Sequence, residues 1–350
     1  MILSGDMRAT LGRRLTERWH AERGGGRIDV RAAVPDGRSP HRISIARHDE
    51  GIWISCQDRI LANPNEAFHR IWAILDLVGE LLRPGGAPLQ ADVSDGEEGE
   101  AGLIGFCSRD PTSMLVPDHV FVRTRGYQAQ RVLVPVSTND WTARSDVIVW
   151  RGTSTGAGLV ATPDLSAADP ALIARTRLCL VLRDVPGTDA RLSAVAQTPD
   201  LARDRERLSQ AGLLGDYISP IAWYGFKFAI DIDGNCNAFA NLFTRLLMGC
   251  CVLKVASGAG YRQWYYHDLQ PWVHYVPVAP DLSDLRDVIG WCRDHSTDCR
   301  SIAARGQAFA LARDFAGEMA AARAHLARAM REDRLHTGTA DRAQPCGRGP

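Results

Sequence analysis

Nine cysteines occur without a single Cys-x-x-Cys pair, and no Cys/His spacing matches a zinc site. The odd count and the Cys250-Cys251 neighbours point to free thiols in a reducing compartment rather than a disulfide framework. The chain has no apolar run of about 18 residues, so the pattern excludes a membrane-spanning helix. A secretory leader is not expected at Met1–His20, where Arg8, Arg13, Arg14 and Arg18 break up any apolar core. Net charge is absent too: 41 Lys plus Arg balance 41 Asp plus Glu, which argues against a dedicated nucleic-acid binder while leaving room for a local basic pocket. Three catalytic fingerprints are missing: a Gly-Lys-Ser/Thr phosphate loop, a Gly-x-Ser-x-Gly elbow and the glycine spacing of a dinucleotide fold.

What remains is an ordinary globular composition, 45% apolar and 23% charged, over 350 residues. That length fits two domains of roughly 100–200 residues each. Residues 1–25 are Arg-rich and read as a loosely ordered start, and 334–350 read as a disordered tail. Ile43–Ile45, Ile52–Ile54, Val147–Trp150 and Leu178–Leu182 read as strands. Phe68, Ile71, Leu75, Val78 and Leu82 keep helical spacing up to Pro84-Gly85-Gly86. The polar stretch from Gly187 to Gly215 reads as a helix with flanking loops. Leu285, Val288, Ile289 and Cys292 share a helix face capped by Asp281 or Ser283, and a long helix is expected over about 301–330. Strands alternating with helices predict an α/β fold with mostly parallel sheets.

The most telling block is Phe226 to Val278. An alternating strand with Phe226, Phe228, Ile230 and Ile232 on one face ends in Asp233-Gly234-Asn235, and a helix is expected to start at once. That arrangement offers backbone N–H groups and a helix N-terminus to an anion. A second strand, Cys250 to Ala256, places Lys254 near its end, where it could meet an anion or lie on the surface. His274 follows in an aromatic, strand-like run and is either a ligand contact or a satisfied core residue. Trp150-Arg151-Gly152-Thr153-Ser154-Thr155-Gly156 has the parts of an anion-binding turn, with two glycines, hydroxyls and a guanidinium; a plain strand-to-helix turn is the competing reading. Asp231-Ile232-Asp233 could hold a divalent cation, or Asp231 could face solvent while Asp233 caps the next helix. Phe239, Leu242, Phe243, Leu246 and Leu247 form a core stripe.

Together these segments resemble glycosyltransferase family 90, the capsule-associated and Rumi-like protein O-glucosyltransferase group. The resemblance runs roughly from Leu89 to Phe315. It is carried by Trp150-Arg151-Gly152 with Thr155-Gly156, Phe226-Lys227-Phe228, Asp231 to Asn235, Val252-Leu253-Lys254, Leu269 to Val278 and Asp281 to Leu285.

The resemblance implies a GT-B-like architecture: two Rossmann-like domains facing across a cleft, with a long C-terminal helix. Residues 26–145 would form the acceptor-side domain and 146–333 the nucleotide-sugar-binding domain. It implies inverting transfer from a nucleotide-sugar, a UDP-sugar by preference, to a glycan or lipid-linked glycan hydroxyl of capsule or lipopolysaccharide type. No cofactor and no bound metal are expected. The compartment implied is the cytoplasm, with at most peripheral membrane association. Asp95 lies about where the family places its base, with Asp92 as rival. Donor contacts are assigned to Trp150, Arg151, Gly152, Thr153, Thr155, Gly156, Asp233, Gly234, Asn235, Asn237, Lys254 and His274. One departure is that Ala238-Phe239-Ala240-Asn241 lacks the arginine often found after the Asp-Gly segment, and Arg appears only at Arg245. That leaves open a non-catalytic nucleotide-sugar-binding or glycan-binding protein of the same fold, or a metal-dependent transferase using Asp231 and Asp233.

Overall fold

The first element is a helix where a loose start was expected. In the computed structural model, which describes residues 4–34, 39–96, 102–134 and 141–332, α1 spans Ser4–Arg23. Leu11, Leu15 and Trp19 recur at i, i+4 and i+8 and are buried, while Arg13 and Arg18 stay exposed. Three apolar positions among many arginines are enough when a sheet receives them, which corrects the expectation for residues 1–25. The expected tail at 334–350 and the acidic Glu97, Glu98 and Glu100 lie outside the described residues.

Six strands form the first sheet: β1 (Arg27–Ala32), β2 (Arg42–His48), β3 (Gly51–Cys56), β4 (Leu89–Asp92), β5 (Ile104–Gly105) and β6 (Met114–Leu115), ordered β1-β3-β2-β4-β5-β6. β2 runs antiparallel to β3 and to β4, and the other pairings are parallel. Ile43, Ile45, Ile52 and Ile54 alternate into the core, as their spacing predicts. Behind them lies α2 (Pro64–Val78), started by Asn63, whose side chain accepts from the Glu66 N–H, and by proline in the first turn.

Two short helices, α3 (His119–Arg123) and α4 (Gln128–Arg131), lead into the second sheet. Its strands are β7 (Ser145–Thr153), β8 (Thr188–Ala194), β9 (Phe226–Asp231), β10 (Cys251–Val255) and β11 (Val276–Val278), all parallel and ordered β11-β10-β9-β7-β8. The helices are α5 (Ala174–Leu182), α6 (Leu201–Gln210), α7 (Ala240–Leu247), α8 (Leu285–Asp294), α9 (Ser296–Ala312) and α10 (Phe315–Arg331). The α/β expectation with largely parallel sheets holds.

Several local expectations do not. Leu178–Leu182 belongs to α5, not to a strand. That helix buries Arg175, Thr176, Leu178, Cys179, Leu180 and Leu182, so little polar face is left to mark a 3.6-residue period. The missing strand is β8, at the sheet edge, with only Ala190 and Leu192 buried among polar neighbours. Trp272 to Tyr275 is a turn, with Trp272 at φ 63°, and the strand begins at Val276. α8 is preceded by Asp284, whose carboxylate accepts from Ala279 N–H rather than from its own helix.

The expected single helix over 301–330 is two helices, broken at Arg313-Asp314, where Asp314 caps α10 by accepting from Gly317 N–H at 2.7 Å. The break sends α10 back onto the first unit. Met319, Leu326 and Ala329 join the cluster that holds Ile71, Leu75 and Val78, and Arg323 reaches Asp76 at 3.4 Å. The core of the first unit therefore includes Phe315–Arg331, which the 146–333 assignment had placed in the second. Leu326→Ala should lower unfolding free energy by about 2–5 kcal/mol in urea titration, since Leu326 is fully enclosed there.

Candidate active site at the junction of the two sheets

Parallel α/β sheets bind ligands beyond the carboxyl ends of their strands. Here those ends are the loops after β7, β9 and β10, and a guanidinium lies beneath the first two. Arg175, in the first turn of α5, donates from Nη1 to Thr153 O (2.9 Å) and Thr155 Oγ1 (2.7 Å), and from Nε to Asp233 O (3.0 Å). Its Nη2 approaches Ile232 O at 3.4 Å. Burial pulls its pKa down, and the charges of Asp231 and Asp233 oppose that. Gly234 has to be glycine: a Cβ there would come within 2.5 Å of Thr155 Oγ1 and 2.7 Å of Arg175 Nη2.

The segment after β9 is a loop, not the start of a helix. α7 begins only at Ala240, and the Gly234 N–H donates to Cys236 O at 2.8 Å. The Gly234 amide is thus engaged within its own loop, which corrects its expected role at a helix N-terminus. Asp233 accepts from Asn237 Nδ2 at 3.1 Å. Burial raises the pKa of its carboxyl, while hydrogen bonding to Ser257 and the charge of Lys254 oppose this. Asn237 Oδ1 in turn accepts from the Cys107 thiol at 3.1 Å, and Cys107 belongs to the first unit. The junction is reinforced by Ser108 and Arg262, which exchange backbone bonds of 3.2 and 3.0 Å.

Thr153, Thr155, Gly156, Asp233, Gly234, Asn235 and Asn237 therefore share one end of the second sheet. Four expected donor contacts do not reach it, and a fifth, Lys254, lies at that end but is already paired. Arg151 turns away, donating to Asp189 Oδ2 (2.5 Å), Asp189 O, Trp150 O and Asp216 O. Trp150 is core, and Gly152 is small because a Cβ would sit 2.6 Å from that indole ring. Lys254 is buried, at 3.3 Å from Asp231 Oδ2 and 3.4 Å from Tyr266 OH. His274 precedes β11, at the amino end of a parallel sheet, and its ring packs on Phe309. Asp231 also accepts from Asn241 Nδ2 at 2.8 Å, so it is buried and paired rather than facing solvent. Among the described residues no cluster of three or more His, Cys, Asp or Glu side chains could hold a metal.

Asp95 approaches from the first unit, on the loop after β4. Arg70 of α2 holds that loop with two bonds, Nη2 to Asp95 Oδ1 (2.5 Å) and Nη1 to Val93 O (2.7 Å), while its Nε donates to Glu66 Oε1 (2.9 Å) on the same helix. Glu66 also meets His119 Nε2 at 3.4 Å. The His119 ring lies between Phe106 and Phe239, 5.6 and 5.3 Å away, and Phe239 comes from the second unit. The rival Asp92 is buried, with Oδ1 accepting from Ser94 N–H at 2.6 Å, whereas the Asp95 side chain is 31% exposed. Cys236 joins the two halves: its thiol is pushed far above its ordinary pKa, first by hydrogen bonding with Cys107 and then by burial, with smaller contributions from Asp95 and Asp233.

Sequence reading missed Arg70, Glu66, His119 and Arg175. Asn63-Pro64 followed by Glu66 and Arg70 at i, i+4 was a legible helix start and ion pair. Arg175 was hidden by the misread strand.

The geometry is that of an α/β protein in which two sheet-bearing units meet at the loop after β9. Residues 175–318, about two fifths of the chain, match the sequence model of Glycosyl transferase family 90. Uncharacterized protein 035R of Invertebrate iridescent virus 3 is 34% identical over 171 residues, 48% of this chain and 15% of that protein. Protein O-glucosyltransferase 2 of Danio rerio is 37% identical over 99 residues, 28% of this chain and 19% of that protein. The chain thus spans less than a fifth of the length of these relatives. Among solved structures, Anabaena HepE in complex with UDP aligns at 12% identity and TM-score 0.35, covering 53% of this chain and 49% of that one. The C-terminal domain of LpcC from Francisella tularensis aligns at 15% identity and TM-score 0.34, covering 51% and 92%.

The buried ion pair gives one expectation. Lys254→Met should destabilise the protein by about 3–5 kcal/mol by leaving Asp231 uncompensated. Asp231→Asn with Lys254→Met should recover part of that loss in a thermal-unfolding cycle. Glu66 gives another. Its carboxyl is held at about 2 against an ordinary 4.5, mainly by the hydrogen bond with His119 and then by Arg70, with burial opposing. The folded pKa is the lower one, so the stabilisation is complete above 4.5 and lost as pH falls toward 2. Glu66→Gln should flatten the stability profile in that window, as measured by urea midpoints.

Proposed function

We propose that the chain is an inverting glycosyltransferase that moves a sugar from a UDP-sugar to a glycan hydroxyl without a divalent metal. The observation that carries this is Asp95, fixed by Arg70 where the first unit meets the 233–237 loop of the second. The family match and the partial similarity to protein O-glucosyltransferases support the reaction class.

In this reading the donor diphosphate lies over the loops after β7 and β9. The Thr153 and Thr155 hydroxyls and the Asn235 N–H face it, and the buried Arg175 charge acts from below. Asp233, held in place by Asn237, accepts hydrogen bonds from the sugar or ribose hydroxyls. Arg70 binds Oδ1 of Asp95, leaving the second oxygen to take the acceptor proton. As the acceptor oxygen bonds to the anomeric carbon from the opposite face, the diphosphate leaves with the electron pair of the old bond. Lys254 already neutralises Asp231, which favours the metal-free version over a cation held by Asp231 and Asp233. The acceptor we favour is a capsule- or lipopolysaccharide-type glycan under assembly at the cytoplasmic face. No helix among the described residues is long and apolar enough to cross a membrane.

The test is a thermal-shift series with UDP-, GDP-, ADP- and CMP-sugars, with and without EDTA, followed by transfer assays. A hundredfold excess of ligand over its Kd adds about 2.7 kcal/mol to native stability, enough to see as a raised Tm. The expected result is a shift with UDP-sugars that survives EDTA. Asp95→Asn should keep the shift and lose about 10²–10⁴ in transfer rate. Transfer by Asp95→Asn at the wild-type rate would sink the assignment of the base.

A further inference from the structure

Two free thiols from different units meet at the junction. Cys107 follows β5 in the first unit, and Cys236 lies in the loop after β9 of the second. They share a small buried cluster with Tyr261, and Phe239 packs against it. Both converge on one residue: the Cys107 thiol donates to Asn237 Oδ1 at 3.1 Å, and the Cys236 thiol donates to the Asn237 backbone carbonyl at 3.3 Å. The two thiols also hydrogen-bond with one another. Each stands beside a loop of the candidate site. Gly96, next to Asp95, lies so close to Cys107 that a Cβ there would come within 2.5 Å of the Cys107 carbonyl oxygen. Cys236 sits between Asp233 and Asn237 in the chain.

We propose that Cys107 and Cys236 form a reversible disulfide that latches the two units together at this junction. Both residues stand in loops rather than in strands or helices, so the backbone has room to adopt the spacing a disulfide demands. The other group of neighbouring thiols, Cys251, Cys292 and Cys299, lies inside the core of the second unit, where a bond would join nothing new. Cys107 and Cys236 are only 4% and 2% exposed, so an oxidant reaches them when the junction parts and is kept out while it is closed. Reclosing brings the two sulfurs together, and the bond then holds the closed arrangement. In a reducing compartment the pair rests as two thiols, and the bond forms under oxidative load. The oxidant required is a low-molecular-weight disulfide, R–S–S–R, of the glutathione type. One protein thiolate attacks it and expels RS⁻, giving a mixed disulfide. The second protein thiolate displaces the other RS⁻ and closes the Cys107–Cys236 bond. Two electrons pass to the small disulfide, and the two thiol protons end on two R–S–H molecules.

The test places the full chain in glutathione buffers of rising disulfide content, then alkylates the remaining thiols and maps the peptides. The expected result is a peptide linking Cys107 to Cys236, reversed completely by dithiothreitol. Oxidation should raise Tm by about 3–8 °C, because the bond closes a long loop of the unfolded chain. Hydrogen exchange in the Asp233–Asn237 segment should slow at the same time. Cys236→Ser should lose both the linked peptide and the rise in Tm, and Cys107→Ser serves as the second variant. The wild-type map is decisive even where neither variant folds. Linked peptides confined to Cys251, Cys292 and Cys299 overturn the proposal, as does the absence of any linked peptide in the most oxidising buffer. A Cys107–Cys236 bond that leaves Tm unchanged or lower overturns the latch. None of these readouts uses a nucleotide-sugar, so they stand whatever the donor screen returns.

Discussion

Much of the second unit is organised around one buried cation. Removing a guanidinium from water costs several kcal/mol unless its donors are all taken up. Arg175 meets that requirement with oxygens from two strand ends, Thr153 O and Thr155 Oγ1 after β7 and Asp233 O after β9. The two loops consequently hold one fixed geometry. The space that Arg175 fills is also the space a side chain at Gly234 would need, so the loop after β9 closes tightly and spends its own Gly234 N–H on Cys236. Positive potential at the site thus comes from a charge behind the loops more than from amides facing outward.

The first unit solves the matching problem differently. Its carboxylate sits on a loop, which alone would hold it loosely, and Arg70 ties that loop to the middle of a buried helix. Glu66, His119 and Phe239 continue the support to the other unit. A base on a flexible segment acquires the precision of a helix in this way. The contact between units is made of short, specific links such as Cys107 with Asn237 and Ser108 with Arg262.

The sequence was most legible where burial is one-sided. The Ile43–Ile45 and Ile52–Ile54 alternations and the Phe239 to Leu247 stripe announced their elements, because one face differs from the other. It was least legible where an element is buried all round or hardly at all. α5 reads like an apolar strand because its buried residues leave few polar marks, and β8 reads like a loop because an edge strand buries only Ala190 and Leu192. The site followed the same rule. Asp95, Thr155, Asp233 and Asn237 stand in short polar segments, where a sequence marks its candidates most plainly. Arg151 and Lys254 were also found by type, yet partners distant in sequence, Asp189 and Asp231, claim them. Local pattern identifies a charged side chain, but only tertiary pairing decides whether its charge is still available.

The return of α10 to the first core also sets a timetable. The chain is made from its amino end, and the sheet of β1 to β6 is complete long before Phe315–Arg331 exists. Until then Ile71, Leu75 and Val78 lack the covering supplied by Met319, Leu326 and Ala329. The early sheet must wait, partly uncovered, while all five strands of the second sheet are synthesised, and only α10 then closes it.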